Sequence, residues 1–443
     1  MPYTPHTEQD VKEMLATIGV SSIDELFREI PDNLKVKGEL DIPSFYDEAK
    51  LFGYLGEIGR KNYNLAKNVC FLGAGIYDRY IPSTVGAVIS RGEFLTAYTP
   101  YQPEFSQGYL QTIYEFQSMI AELYGMDLAN ASMYDGATAM AEAAILAHGV
   151  NGRNKVYVSQ AVHPHYRQVL NTYCWSVGID VVELATEDGL TQDYSRVDSE
   201  AACVIVQYPN FFGEVEDLEQ ARRAARDAGC LFIVVADPTA CALLKPPGQY
   251  DADIVVGEGQ PLGIAMGYGG PLLGLFACKT ELVRRLPGRI VGRTEDHNGR
   301  PGFVMTLRTR EQDIRREKAT SNICTNEALM ALSATVYLAA LGKNGMRQVA
   351  EGSVRNTQYA IQEFAKVGIK RKFSANVFNE FVLALPKNAE EVQRKLLDHG
   401  ILAGLPLGKY YGGMENDLLV AVTEVRTKAQ IDDFVAKMKA AIA

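Results

Sequence analysis

The chain has 443 residues, 47% of them hydrophobic, and a formal net charge of −10. That supports a large core organised in two or three lobes, and the acidic balance argues against nucleic acid as a partner. No apolar run reaches the ~18 residues of a membrane span, and the opening MPYTPHTEQD lacks the basic and apolar regions of a secretory signal.

The first 65 residues read as a helical arm. Val11, Met14, Leu15 and Ile18 follow the i, i+3, i+4, i+7 rule. Ser22-Ile-Asp-Glu25 has the form of a capping box, and Ile23, Leu26, Phe27 and Ile30 then line one face up to Pro31. A third helix is predicted from near Ser44 to near Asn62. These helices are too short and polar to fold alone, so the arm is expected to pack on a larger body or on another subunit.

From about 130 to 280 short apolar runs alternate with helical patterns. Val156-Tyr-Val158, Val181-Val-Glu-Leu184, Cys203-Val-Ile-Val206, Leu231-Phe-Ile-Val-Val235 and Ile254-Val-Val256 are the candidate strands. This pattern indicates an α/β domain with a mainly parallel sheet covered on both faces. Its ligands would bind at the carboxyl ends of the strands. From about 325 a long helix leads into a smaller α/β domain. It contains the run Phe378 to Leu385, a helix over Glu390 to His399, the run Leu418 to Val422 and a last helix from about Thr427. The expected division is an arm over 1–65, a large domain over 66–325 and a small domain over 326–443. The seven cysteines are scattered without a Cys-x-x-Cys pair, and Cys203, Cys230 and Cys278 border or sit in apolar runs. They read as buried reduced thiols of a cytoplasmic protein, and no metal site is expected.

Four features stand in order along the large domain. Tyr134-Asp-Gly-Ala-Thr-Ala139 opens a strong helix, and small residues with Thr138 at a helix start leave N–H groups for a phosphate or for ordinary capping. His163 and His165 follow a strand, where a histidine either stacks on an aromatic cofactor or serves as a cap or surface group. Asp237 ends the most hydrophobic strand, where its carboxylate can face a protonated pyridine nitrogen or cap the turn through Pro238 and Thr239. Last comes the loop Glu258-Gly-Gln-Pro-Leu-Gly-Ile-Ala-Met-Gly-Tyr-Gly-Gly-Pro271. Its glycine density suits close wrapping, yet its most polar central residue is the uncharged amide of Gln260.

That order resembles the aspartate-aminotransferase-like fold, fold type I of the pyridoxal-phosphate enzymes. The resemblance becomes specific in Phe71-Leu-Gly-Ala-Gly-Ile-Tyr-Asp-Arg-Tyr-Ile-Pro82, Tyr98-Thr-Pro-Tyr-Gln-Pro-Glu-Phe-Ser-Gln-Gly108, Tyr134-Asp-Gly-Ala-Thr138, Gly267-Tyr-Gly-Gly-Pro271 and Arg315-Arg-Glu-Lys-Ala-Thr-Ser-Asn-Ile-Cys-Thr325. Over essentially its whole length the chain is similar to the first half of the glycine-cleavage P-proteins, the glycine decarboxylases, which some bacteria make as two separate subunits. In that family the second half carries the lysine that binds the cofactor's aldehyde as a Schiff base. Counting back from Pro271, Gln260 stands at that position here, and an amide nitrogen is not nucleophilic.

The resemblance implies a subunit without its own Schiff base. Pyridoxal phosphate would be held covalently by a homologous lysine-bearing partner. Glycine would be decarboxylated there and its aminomethyl group passed to the lipoyl arm of H-protein. Thr138, His163 and Asp237 would be vestigial cofactor positions. Tyr98, Tyr101, Gln102 and Glu104, stiffened by Pro100 and Pro103, would reach the partner's site, unless they form a surface turn. Asn322 and Thr325 would add hydrogen bonds near it, unless Thr325 only caps the next helix. The run Arg300, Arg308, Arg310, Arg315, Arg316 and Lys318 interleaves with Glu311, Asp313 and Glu317, which favours an internal network or a subunit interface. Two rival readings are a self-sufficient enzyme using Lys245 or Lys279, and a scaffold or regulatory subunit.

Overall fold

The computed structural model describes residues 5–443. They divide into two compact units, one ending at Tyr63 and the other running from Asn64 to Ala443.

In the first unit α1 (Glu8–Ile18) starts at a reciprocal capping box between Thr7 and Asp10 and stops at Gly19, whose φ of 86° is left-handed. The helix expected over Ile23–Ile30 does not form. Only a single 3-10 turn, Asp24–Phe27, is present. Ser21 takes the Glu25 carboxylate, and the stretch before Pro31 is too short to repay helix nucleation. The third helix, α2 (Glu48–Gly59), is shorter than expected because Asp47 caps it, accepting from the Lys50 N–H at 2.8 Å. Neither helix buries a residue, and apolar side chains such as Phe45 and Phe52 are open to solvent.

The second unit is built on a seven-stranded sheet. Its strands are β1 (Leu128–Ala129), β2 (Lys155–Ser159), β3 (Asp180–Leu184), β4 (Ala201–Tyr208), β5 (Leu231–Ala236), β6 (Ile254–Glu258) and β7 (Gly274–Cys278). The spatial order is β1-β7-β6-β5-β4-β2-β3. β3, β2, β4, β5 and β6 are mutually parallel, and β7 is antiparallel to both its neighbours. Alternation along β5 shows why the sheet is sandwiched. Phe232, Val234 and Ala236 join the core on one face, and Ile233 and Val235 join the core on the other. The covering helices include α3 (Pro103–Tyr124), α4 (Gly136–Asn151), α5 (Pro164–Ser176) and α6 (Leu218–Ala228).

A long helix, α7 (Ala328–Lys366), is broken at Gly342, where φ is 57°. It leads to a four-stranded antiparallel sheet formed by Lys370–Arg371, Glu380–Ala384, Asp417–Ala421 and Leu405–Pro406. This sheet has its own core, in which Phe71 stacks on Phe434 at 4.1 Å between ring centres. α8 (Ala389–Leu397) is capped by Asn388, and α9 (Lys428–Ile442) by Thr427. All seven cysteines are free, and six of them are buried. Among the described residues no helix is long and apolar enough to cross a membrane.

Candidate functional site

The carboxyl ends of β4, β5 and β6 open on a crevice together with the start of α5, the place where open α/β sheets bind ligands. Tyr77, His163, Tyr166, Asp237, Glu258 and Glu380 line it. Of the residues flagged along the sequence, His163 and Asp237 line it, Gln260 bonds to the lining residue Tyr77, and Thr138 lies in the first turn of α4; each is already bonded within the chain.

Gln260 is 3% exposed. Its Oε1 accepts from the Tyr77 N–H at 2.9 Å, and its Nε2 donates to the Tyr77 carbonyl at 3.1 Å and to the Ile264 carbonyl at 2.7 Å. The amide therefore latches the segment Gly73–Tyr80 across the strand ends. Gly73 permits this approach, because a Cβ there would lie 2.2 Å from Glu380 Oε1. Glu380 holds the same segment, accepting from the Ala74 N–H at 2.6 Å and from the Tyr77 hydroxyl at 2.7 Å. Arg79 anchors its far end, donating to Glu424 at 2.9 Å and Ser353 at 3.1 Å.

The start of α4 is filled as well. Glu258 places one carboxylate oxygen 3.1 Å from the Gly136 N–H, and the other 2.9 Å from the N–H groups of both Gln260 and Leu273. Burial pushes the Glu258 carboxyl up to about 7, and these three donors partly offset that desolvation. Thr138 turns inward on the cap: its N–H donates to Asp135 at 2.8 Å and its hydroxyl to the Asp135 carbonyl at 3.1 Å.

His163 Nε2 pairs with the Ala74 carbonyl at 3.0 Å, and Nδ1 accepts from the His165 N–H at 3.1 Å. This assigns the proton to Nε2. Burial pushes its pKa down to about 4, so the ring is neutral at ordinary pH, stacked on Tyr166 at 4.9 Å. Asp237 accepts from the Thr239 N–H at 2.6 Å and the Ala240 N–H at 3.0 Å. The turn-capping alternative is the one the structure adopts.

Pyridoxal phosphate does not fit these residues. Among the described residues no lysine lines the crevice, the helix start already carries an internal carboxylate, and another anion there would face Glu258. The crevice leaves about 40 Å³ of free volume, room for a few waters at ~10–15 Å³ each. Ordinary small-molecule sites offer ~300–1,000 Å³. The two other lysines considered are engaged elsewhere: Lys279 with Asp251 at 2.7 Å and Asp253 at 2.6 Å, and Lys245 with Glu219 at 3.7 Å and above the Tyr250 ring.

The remaining sequence candidates lie apart from this crevice. Tyr98 is fully exposed. Gln102 and Glu104 do not sit in a free loop, because Pro103 opens α3, with Gln102 at its N-cap and Glu104 in its first turn. The Tyr101 hydroxyl donates to the Cys324 carbonyl at 3.3 Å, and the Arg289 guanidinium lies 4.7 Å from its ring centre. Asn322 is exposed and Thr325 half-buried. Thr325 does not cap α7, whose N-cap position is Glu327. In the basic run Arg308 pairs with Asp313 at 3.0 Å and Arg310 donates to the Gly288 carbonyl at 2.7 Å, while the interleaved Glu311 pairs with Arg289, which precedes the run.

Sequence reasoning missed Tyr77, Arg79, Glu258 and Glu380. Tyr77, Arg79 and Glu258 stood inside quoted motifs, and the signal was polar residues flanked by glycines next to apolar strands. Glu380 gave no local signal, since its partners lie some 300 positions away.

The architecture is that of fold type I of the pyridoxal-phosphate enzymes. It matches a cysteine desulfurase of Thermococcus onnurineus NA1 with a TM-score of 0.64 at 16% identity, over 87% of this chain and 98% of the other. The family is set by closer matches. The family model described as "Glycine cleavage system P-protein" matches residues 1–438. A probable glycine dehydrogenase (decarboxylating) subunit 1 of Geobacillus sp. (strain WCH70) is 51% identical over 439 residues, 98% of each chain. A crystal structure of a glycine decarboxylase (P-protein) of the glycine cleavage system, in inhibitor-bound form, has a TM-score of 0.91 at 46% identity and covers 100% of both chains. The chain belongs to the glycine cleavage system P-protein family and is a subunit of that family's enzyme, glycine decarboxylase.

Proposed function

We propose that this chain is the subunit of a heteromeric glycine decarboxylase that holds no cofactor of its own. A homologous partner subunit bears the lysine and the pyridoxal phosphate. The cofactor supplies an electron sink for the carbon from which carbon dioxide departs. The aminomethyl group then passes to the lipoyl arm of H-protein. This chain contributes an obligate interface and a wall of the partner's pocket, for which Tyr98, Tyr101, Gln102, Glu104, Asn322 and Thr325 are the candidates. Thr138, His163 and Asp237 serve here as structural caps and packing groups. We place the assembly in the cytoplasm, in keeping with seven free thiols. We also keep the division of the chain into an arm (1–65), a large domain (66–325) and a small domain (326–443).

The observation that carries this reading is the Gln260 latch. The position where the family's second half bears a lysine is here an amide, fully hydrogen-bonded within the chain. The test is to incubate the chain with pyridoxal phosphate, alone and with the second subunit, reduce with borohydride, and map the modified lysines. Release of carbon dioxide from glycine is followed in parallel. The expected result is specific labelling on the partner only, with decarboxylation requiring both chains. Stoichiometric labelling of one lysine between residues 237 and 279 of this chain would overturn the reading.

A further inference from the structure

A further cavity, of about 350 Å³, lies between α4, α5 and the segment 320–323. Glu142 lines it and is 5% exposed. Among the described residues no lysine, arginine or histidine pairs with this carboxyl, and the Ser321 side chain is its neighbour on the cavity wall.

Its exposed rim carries the hydroxyls of Thr172 and Ser176 and the amide of Asn322. The Thr172 hydroxyl donates to the Gln168 carbonyl at 3.1 Å, and the Ser176 hydroxyl donates to the Tyr173 carbonyl at 2.7 Å. With those protons committed, both oxygens offer only lone pairs. Tyr134 and Tyr173 add aromatic surface to the same cavity. The charged and titratable groups that act on Tyr173 are Glu142, Asp135 and Tyr134, all of them acidic. A buried carboxylate with no cation is costly, so this cavity favours a ligand that brings positive charge and hydrogen-bond donors together.

We propose that the Glu142 cavity is a binding site for a small organic ammonium ion. An alkylammonium has three N–H donors and no acceptor. It matches the carboxylate and the hydroxyl lone pairs, and its charge is favoured beside the tyrosine rings. The site is separate from the crevice at the strand ends, and its wall includes Asn322, one of the candidates for the partner's pocket, so binding is measured on this chain alone. Burial pushes the Glu142 carboxyl up to about 7. Binding a cation therefore releases a proton at lower pH, and affinity rises as pH increases through that value.

The test uses the full chain, with ethylammonium as probe and ethanol as its neutral counterpart, followed by ligand-observed NMR and calorimetry. Saturable ethylammonium binding is expected, with none for ethanol. Glu142→Gln should weaken binding about tenfold to a hundredfold, the scale of one lost charge-assisted hydrogen bond, and abolish the pH dependence. Thr172→Phe, which fills the cavity and leaves the carboxyl in place, should also block binding and serves if the Gln variant fails to fold. Equal binding of ethanol, no saturable ethylammonium signal, or unchanged affinity in either folded variant would overturn the proposal.

Discussion

Gln260 pairs with both backbone polar groups of Tyr77: its oxygen takes the Tyr77 N–H at 2.9 Å while its nitrogen gives to the Tyr77 carbonyl at 3.1 Å. A primary amide can do both at once because it carries an acceptor and two donors on one planar group. A lysine ammonium has no acceptor and would leave the Tyr77 N–H without a partner. On the reading proposed above, the residue that stands in place of the Schiff-base lysine is also the one that latches the segment Gly73–Tyr80.

Gln260→Ala should therefore destabilise the chain. It strands the Tyr77 N–H and the carbonyls of Tyr77 and Ile264 in a buried setting, at a cost on the order of 2–4 kcal/mol. The urea midpoint should fall with little change in slope. A midpoint equal to wild type would mean that the latch contributes nothing to stability. Gln260→Lys should not create a cofactor site by itself, because Glu258 still occupies the start of α4. Borohydride reduction after incubation with pyridoxal phosphate should show no specific label on the new lysine.

Stability should depend on pH through the same cluster. Burial pushes Glu258 and Glu380 up to about 7 from an ordinary value of 4.5. Between those values the folded chain holds protons that the unfolded chain has lost. The stabilisation is complete below about 4.5 and is lost as pH rises through about 7, on the order of 3 kcal/mol for each carboxyl. His163 acts in the opposite direction. Its pKa is pushed down to about 4 from 6.5, so its contribution is present above 6.5 and lost as pH falls through 4. Urea midpoints should thus be lower at pH 8 than at pH 6, and Glu380→Gln should flatten that difference. An unchanged pH dependence in a folded Glu380→Gln variant would remove Glu380 from the account.

The sheet was legible because its signals are local. Five of its seven strands announce themselves as short apolar runs, and the helices over 390–399 and from 427 carry their caps beside them. The closed crevice was legible only in part. Gln260 could be placed by counting from Pro271, and its bond to Ile264 is local, but its partner Tyr77 depends on how a segment 183 positions earlier in the chain crosses the strand ends. Glu258 was read as part of a loop, yet it is the last residue of β6, where a strand end turns its carboxylate onto the start of α4. The failed helix over Ile23–Ile30 shows the opposite error. There the periodicity was right, but no packing partner within the unit buries the apolar face.

The arm itself supports a prediction about assembly. Met14, Ile18, Phe27, Leu34, Phe45 and Phe52 are all exposed within its unit, more apolar surface than a soluble chain ordinarily leaves bare. Deleting residues 1–40 should weaken association with the second subunit, because obligate interfaces commonly bury about 2,000–5,000 Å² and are apolar. Sedimentation of the truncated chain with its partner measures this directly. Unchanged affinity would exclude the arm from the interface.

The segment Tyr98–Glu104 decides whether this subunit touches the chemistry. Tyr98 is 96% exposed, and Glu104 stands exposed in the first turn of α3. Neither makes a side-chain bond to the rest of the chain among the described residues, so both are free to meet a partner. Tyr101 is different, since its hydroxyl already reaches the Cys324 carbonyl. If the segment completes the partner's pocket, Tyr98→Phe and Glu104→Gln should each lower glycine decarboxylation by the reconstituted complex. Loss of one well-placed hydrogen bond in a desolvated site costs about 1–3 kcal/mol, roughly tenfold to a hundredfold in rate. Tyr101→Phe should cost less, because part of what it removes is a long bond within this chain. An ordinary surface tyrosine would cost almost nothing. Sedimentation of each variant with the partner separates a lost interface from a lost catalytic contact. Wild-type rates for all three, with normal assembly, would return the segment to the surface and leave this subunit a scaffold for its partner's site.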